Sequence, residues 1–395
     1  MRLLRAACAA ILLFAAAVSV VPALSVRNPV TGYSVDLPIG WVLVDGEDAE
    51  IISFSDPSST AYFQIFAFPP DRFGDPREIH RFFEGQFAAG GSSEGFTYAG
   101  YEAVMADMEF PVSGGSVRGY SVFIDGEEED EWDYGLVTFS FVEDYEVYHD
   151  FLLSALDSFA VNDGAKYFPG PVSEYFYPFP GPEEEPVTIP LGSGEEVTDA
   201  VLPVDPGAVD ANQVMIEREA RILSAYQPNG RDDSWVKAWR RYYRLVYKDT
   251  YRRIEPLVPS IYRHIRRYDI PREELPARLL DWLQGFDYAR ITSLSDLESP
   301  LQCLANGAGD CDSLGIAYVI LLHQLGFDAI MMVSPVHAHA MAAVDTEGAG
   351  ARFPFEGREW LVAELTADVD IGRIAQDMAD PADWIGIRMR TTVVE

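Results

Sequence analysis

Hydrophobic positions along this chain change their period several times. In "GYSVDLPIGWVLV", "AYFQIFAFPP", "VRGYSVFIDG" and "YGLVTFSFV" apolar residues fall at or near every second position, with Gly, Pro and Asp turns between the runs. That spacing predicts strands. "DPREIHRFFEGQF" and "DYEVYHDFLLSALDSFAV" carry apolar residues at three- and four-residue steps, which predicts two helices, the second closing the unit. Residues 26–162 therefore read as an N-terminal antiparallel-sheet α/β sandwich. From 163 to 212 the period is lost. "FPGPVSEYFYPFPGPEEEPVTIPLGSGEEV" is rich in proline and acid and reads as an extended linker. Residues 213–274 return to helical spacing, and Trp235, Trp239, Tyr242 and Val246 form an apolar stripe in a helical brace. The last segment, 275–395, opens with a helix in "PARLLDWLQGFDYARI". A second helix follows, with Asp310 as its N-cap and Gly326 as its stop. Strands in "FDAIMMVSP", "VHAHAMAAVD" and "REWLVAELTADVDIG" complete an α+β chain.

Length and charge narrow the picture. The 395 residues, 48% of them hydrophobic, are enough for two or three domains with real cores. A formal net charge of -34 opposes binding to nucleic acid or anionic lipid. Residues 231–278 hold 13 of the 29 Lys and Arg, interleaved with aromatics. Because the rest of the chain supplies counter-charge, these read as a brace neutralised from within. The opening "MRLLRAACAAILLFAAAVSVVPALS" has two arginines, an apolar run and small residues at Ala23 and Ser25, the pattern of a cleaved signal peptide over 1–25. An exported protein, periplasmic or extracellular and without stable membrane insertion, is the expectation. Cys8 leaves with that signal, so Cys303 and Cys311 remain, too few for a disulfide scaffold.

The chemistry concentrates in "NGAGDCDSLGIAYVILLHQLG". Cys311 occupies the first turn of a helix, where the macrodipole favours a thiolate, but Asp310 and Asp312 oppose it. A positive partner is required, and "VHAHAMAAVD" offers His337 and His339. As strand residues two apart, both point the same way. The next strand ends in an acidic residue. Cysteine, histidine and carboxylate on successive elements make the layout of thiol catalysis, with a thiolate–imidazolium pair and a thiol pKa below its free value. Other readings stay open. Cys303, Cys311, His337 and His339 are zinc-ligand types, but cysteines eight apart and an H-x-H pair lack finger spacing. A Cys303–Cys311 disulfide would silence the thiol. "DCDSLG" resembles the start of a calcium loop, yet positions five and twelve are Leu314 and Leu321, so calcium is rejected on that count.

The order and spacing of "GDCDSLGIAYVILLHQLGFDA", "HAHAMAAV" and "WLVAELT", with "LLDWLQGFDY" upstream, resemble the transglutaminase-like superfamily of papain-fold cysteine enzymes over about residues 275–375. The resemblance implies Cys311 as nucleophile, His339 as base and Glu364 as orienting acid. It also implies a protein or peptide substrate and no metal or organic cofactor. Gln284 in "WLQGF" becomes a candidate oxyanion donor and His337 a candidate cleft residue. The sequence departs from the pattern in two ways. Glu364 stands where Asp is commoner, and Ala340 and Met341 stand where the family often carries an aromatic that lines the cleft. The strands with "LPIGW" and the final "SALDSF" helix resemble, by pattern only, the PsbP/Mog1-like α/β fold. Two functions follow: an exported thiol enzyme that hydrolyses amide bonds or transfers their acyl group, or a non-catalytic exported adaptor on a degenerate version of the fold. Oligomeric state is left open.

Overall fold

The computed structural model describes residues 25–390, apart from 49, 71, 127–130 and 227–232. The expected signal peptide falls almost wholly outside the described residues. The chain divides into two compact units that meet between Pro178 and Phe179. Among the described residues, no helix is long and apolar enough to cross a membrane.

In the first unit β1 (Ser25–Arg27) pairs with β2 (Ser34–Asp36). There follow β3 (Val42–Asp48), β4 (Ile51–Ser55), β5 (Ala61–Phe68), α1 (Pro76–Phe87), β6 (Gly90–Tyr98), β7 (Tyr101–Val112), β8 (Gly115–Ile124) and β9 (Asp133–Phe141). The helix α2 (Tyr145–Asp157) and the short α3 (Pro171–Phe176) come last. Strands β3 to β9 form one antiparallel sheet of order β3-β4-β5-β9-β8-β7-β6. Alternate side chains of β5 enter different cores. Phe63, Ile65 and Ala67 pack with Leu152 of α2 and Phe159, whereas Phe66 and Phe68 pack with Ile79 and Phe83 of α1. Both faces are covered, so "AYFQIFAF" needs no polar alternation.

The second unit corrects the linker. Residues 185–204 form a hairpin of β10 (Glu185–Ser193) and β11 (Glu196–Val204), and α4 (Pro206–Ser224) begins where the linker was expected to run on. Ile189, Leu191, Ala200 and Leu202 are buried at every second position. Pro186, Pro190 and Pro203 are tolerated because each strand of a two-stranded hairpin keeps one unpaired edge. Asp205 caps α4, its Oδ1 accepting from the Gly207 N–H at 2.8 Å.

The helices α5 (Ser234–Ile254), α6 (Val258–Tyr268) and α7 (Leu275–Gln284) come next. In the brace, Arg241 Nη1 lies 2.9 Å from Glu219 Oε2 and Arg253 Nε lies 3.3 Å from Asp249 Oδ2, all four side chains being buried. After β12 (Asp287–Tyr288), α8 (Pro300–Asn306) and β13 (Ala308–Gly309) comes α9 (Cys311–Gln324). Then β14 (Ala329–Ser334), β15 (His339–Val344), β16 (Arg352–Phe355), β17 (Arg358–Ala363) and β18 (Ile385–Ile387) build an antiparallel sheet of order β16-β17-β15-β14-β18. Helix α9 is apolar all round, with Leu314 to Leu322 buried, as befits a central helix packed on β14 and β15.

Candidate active site

The start of α9 is fixed by its cap. Asp310 Oδ1 accepts from the Ser313 N–H at 2.9 Å, with the Ser313 hydroxyl 2.6 Å from the same oxygen. Gly307 ends α8 in the left-handed region at φ 64. At Gly309 a Cβ would come 2.4 Å from Cys303 Sγ, so only glycine lets the chain pass this close before turning into α9. The "NGAGDC" run is thus a tight entry that sets Cys311 at the first helical position.

Cys311 is 1% exposed. The backbone N–H of Ala340, next to His339 on β15, donates to its sulfur, and the thiol itself donates to Asp312 Oδ2 at 3.4 Å. Burial pushes this thiol well above its ordinary value. The Asp312 and Asp310 carboxylates push it further, and the Ala340 donor works the other way. The lowered pKa expected from the helix dipole is therefore not what the surroundings produce. These surroundings favour the thiol over the thiolate. Its neighbours respond in kind: burial, then Asp312, drives Asp310 up to about 7, and burial also raises Asp312. Tyr243 hydroxyl donates to Asp312 Oδ1.

His339 opens β15 and its Nε2 lies 2.7 Å from Glu364 Oε2. Glu364 follows directly on β17, and its Oε1 accepts from both the N–H and the hydroxyl of Thr366 at 2.8 Å. Burial opposes ionisation of Glu364, but the hydrogen bond and charge of His339 and the Thr366 donors outweigh it, so its pKa lies below the ordinary value. An ionised Glu364 assigns the proton to His339 Nε2 and leaves Nδ1 as the basic nitrogen.

Two sequence readings change here. His337 is not on the strand. It lies in the turn between β14 and β15, where Ala338 takes φ 47, so strand alternation does not set its direction. Its Nε2 is 3.3 Å from Asp383 Oδ2 and its ring lies 5.8 Å from that of Trp384. Gln284 is not free to serve an oxyanion. Its Nε2 donates to Glu364 O at 2.8 Å and Val369 O at 2.9 Å, spending both amide protons on the backbone that carries the acid. The two thiols Cys303 and Cys311 are both free and buried, not joined.

A cavity of about 530 Å³ adjoins the pair, its wall including Trp235, Trp239, Tyr243, Arg290, Asp312 and His339. Ala340 and Met341 are fully buried and cannot line it. Aromatic surface comes instead from α5, while the buried Trp384 backs His339 with its ring edge-on at 6.3 Å. The four-residue spacing of Trp235, Trp239 and Tyr243 was the available signal for the α5 group. Nothing local in sequence marked Trp384.

No protein-family model and no curated protein matches this sequence. Three solved structures are similar in part. Cyanobacterial PsbP (CyanoP) from Synechocystis sp. PCC 6803 is 14% identical over 34% of this chain and 89% of that one, with a TM-score of 0.29. A crystal structure from Bacteroides thetaiotaomicron VPI-5482 is 11% identical over 85% of this chain and 87% of that one, with a TM-score of 0.26. A protein of unknown function from Pseudomonas aeruginosa, described as a putative regulator, is 17% identical over 29% of this chain and 82% of that one, with a TM-score of 0.22. A PsbP-like fold is thus among the neighbours, and scores at this level carry no argument about activity.

Proposed function

We propose that this chain is an exported, transglutaminase-like thiol enzyme acting on amide bonds of a protein or peptide. One observation carries the reading: Glu364 holds His339 through Nε2, and the amide of the next residue, Ala340, touches the sulfur of a helix-start cysteine. In the proposed sequence His339 Nδ1 takes the Cys311 proton and Sγ attacks the substrate carbonyl carbon. The C–N bond then breaks as Nδ1 returns the proton to the leaving amine. Water or a second amine, giving its proton to His339 Nδ1, then attacks the thioester carbonyl, and the C–S bond breaks as that proton passes to Sγ, leaving the acid or a new amide. Glu364 stabilises the imidazolium that forms between these steps.

The adaptor reading is favoured by one observation, the burial of Cys311 beside carboxylates that raise its thiol pKa. An activated ester separates the two. With p-nitrophenyl acetate the proposal expects acetyl transfer to Cys311, seen as a thioester in the mass of its peptide and as slow turnover. Both should be lost in Cys311→Ser and strongly slowed in His339→Ala. An unacetylated Cys311 in the wild type overturns the enzyme reading.

A further inference from the structure

Backbone hydrogen bonds hold Arg290 beside the start of α9. The Asp287 N–H donates to Gly307 O at 2.9 Å and the Ala289 N–H to Gly309 O at 3.0 Å. Strand β12 therefore runs alongside the entry to the helix and delivers the next residue, Arg290, to the cavity wall. Among the described residues of that wall it is the one permanent cation. Burial works against its charge, but Asp296, Tyr288, Cys311 and Asp310 outweigh it and hold its pKa above the ordinary value. The guanidinium is thus within electrostatic reach of the sulfur. Its ion pair is loose: Nη1 lies 3.3 Å from Asp296 Oδ2, and the two side chains are 42% and 51% exposed. A pair so exposed contributes little. One contact to Asp296 and one to Tyr288 leave the rest of the five N–H donors for a ligand. The wall beside it is apolar, with Trp235, Trp239, Leu294 and Val333.

We infer that Arg290 selects an acidic peptide as the ligand of this cavity. An aspartate or glutamate carboxylate takes the free side of the guanidinium, and an apolar neighbour packs on Trp235, Trp239 and Leu294. As a statement about substrate this rests on the enzyme reading above, since it names which amides reach Cys311. The net charge of -34 does not oppose it, because charges farther off than about 8 Å are largely screened at physiological salt while Arg290 acts in contact. Burial also raises Asp310 and Asp312, which lessens the negative charge that a carboxylate meets there.

The test separates binding from chemistry by using the full chain with Cys311→Ala. Three acetylated and amidated tripeptides, Phe-Glu-Phe, Phe-Gln-Phe and Phe-Lys-Phe, are titrated into it by calorimetry. The glutamate peptide should bind about tenfold more tightly than its glutamine isostere, the scale of a charge-assisted hydrogen bond on a half-exposed cation, and the lysine peptide most weakly. Adding Arg290→Gln should bring the glutamate and glutamine peptides within about twofold of each other. A second reading needs no change at Arg290: raising salt from about 0.05 M to about 0.5 M should shrink the glutamate preference. Equal binding of the glutamate and glutamine peptides, or no binding of any peptide up to about 10 mM, overturns the proposal. So does a preference untouched by Arg290→Gln. Tightest binding of the lysine peptide overturns it as well, and assigns the mouth to Asp296 instead. Acetylation of wild-type Cys311 by p-nitrophenyl acetate judges the enzyme reading separately, so either can fail while the other stands.

Discussion

Acid should loosen the helix that carries Cys311 through a residue outside the site. His323, in the last turn of α9, is 3% exposed. Its Nδ1 lies 2.9 Å from the Tyr247 hydroxyl, and its Nε2 lies 3.0 Å from Ala329 O. Burial, then the charge of Arg390, pulls its pKa down to about 3, with the Ala329 carbonyl working against them. A histidine with a depressed folded pKa stabilises the fold above its unfolded value of about 6.5. That contribution is lost as pH falls from there toward 3. At pH 4.5 protonation of this histidine shifts the folding equilibrium toward the unfolded chain by about a hundredfold, a loss of roughly 3 kcal/mol. The assay is hydrogen exchange of α9 amides at pH 7 and pH 4.5, corrected for intrinsic rates, in the wild type and in His323→Gln. Glutamine can keep one bond to each side and does not titrate. The wild type should lose about 3 kcal/mol more protection than the variant. Equal losses in the two proteins would refute the reasoning.

Two further outcomes follow from the site's supports. Gly309→Ala places a Cβ 2.4 Å from Cys303 Sγ and should cost about 1–3 kcal/mol in denaturant unfolding, whereas the double variant Gly309→Ala/Cys303→Ala should recover part of that loss. Gln284→Ala frees the carbonyls of Glu364 and Val369 and should cost about 1–3 kcal/mol, with acetylation of Cys311 by p-nitrophenyl acetate slowed; an unchanged acetylation rate would remove Gln284 from the positioning of the acid.

Much of the second unit was legible because its signals are local. Asp310 before an apolar run and Gly326 after it bracket α9, and the capping bond and the helix lie within a residue or two of that reading. His339 and Glu364 were reachable by strand register, and the sheet brings them to 2.7 Å. Other features depend on partners distant in sequence. The 185–204 hairpin was hidden because its prolines and acids outweigh a weak alternation that counts only once α6 and α7 cover one face. The Cys311 environment went wrong for a different reason. A helix dipole is visible in sequence, but the burial that overrides it and the approach of Asp312 to the sulfur appear only in three dimensions. His337 was misplaced because the turn, with a left-handed alanine at Ala338, takes the first three residues of the expected strand.

The central claim is that Cys311 is served by His339 and not by His337. Both free thiols of the described chain are buried, and burial, with nearby carboxylates, raises both, so Cys303 is an internal standard for a thiol without a base. The deciding measurement is the site-resolved rate of iodoacetamide labelling in the native protein at neutral pH, read by mass spectrometry. Cys311 should label at least tenfold faster than Cys303, His339→Ala should erase that advantage, and His337→Ala should preserve it. Equal slow labelling of both cysteines, or an advantage that survives loss of His339 and vanishes with His337, would contradict the account.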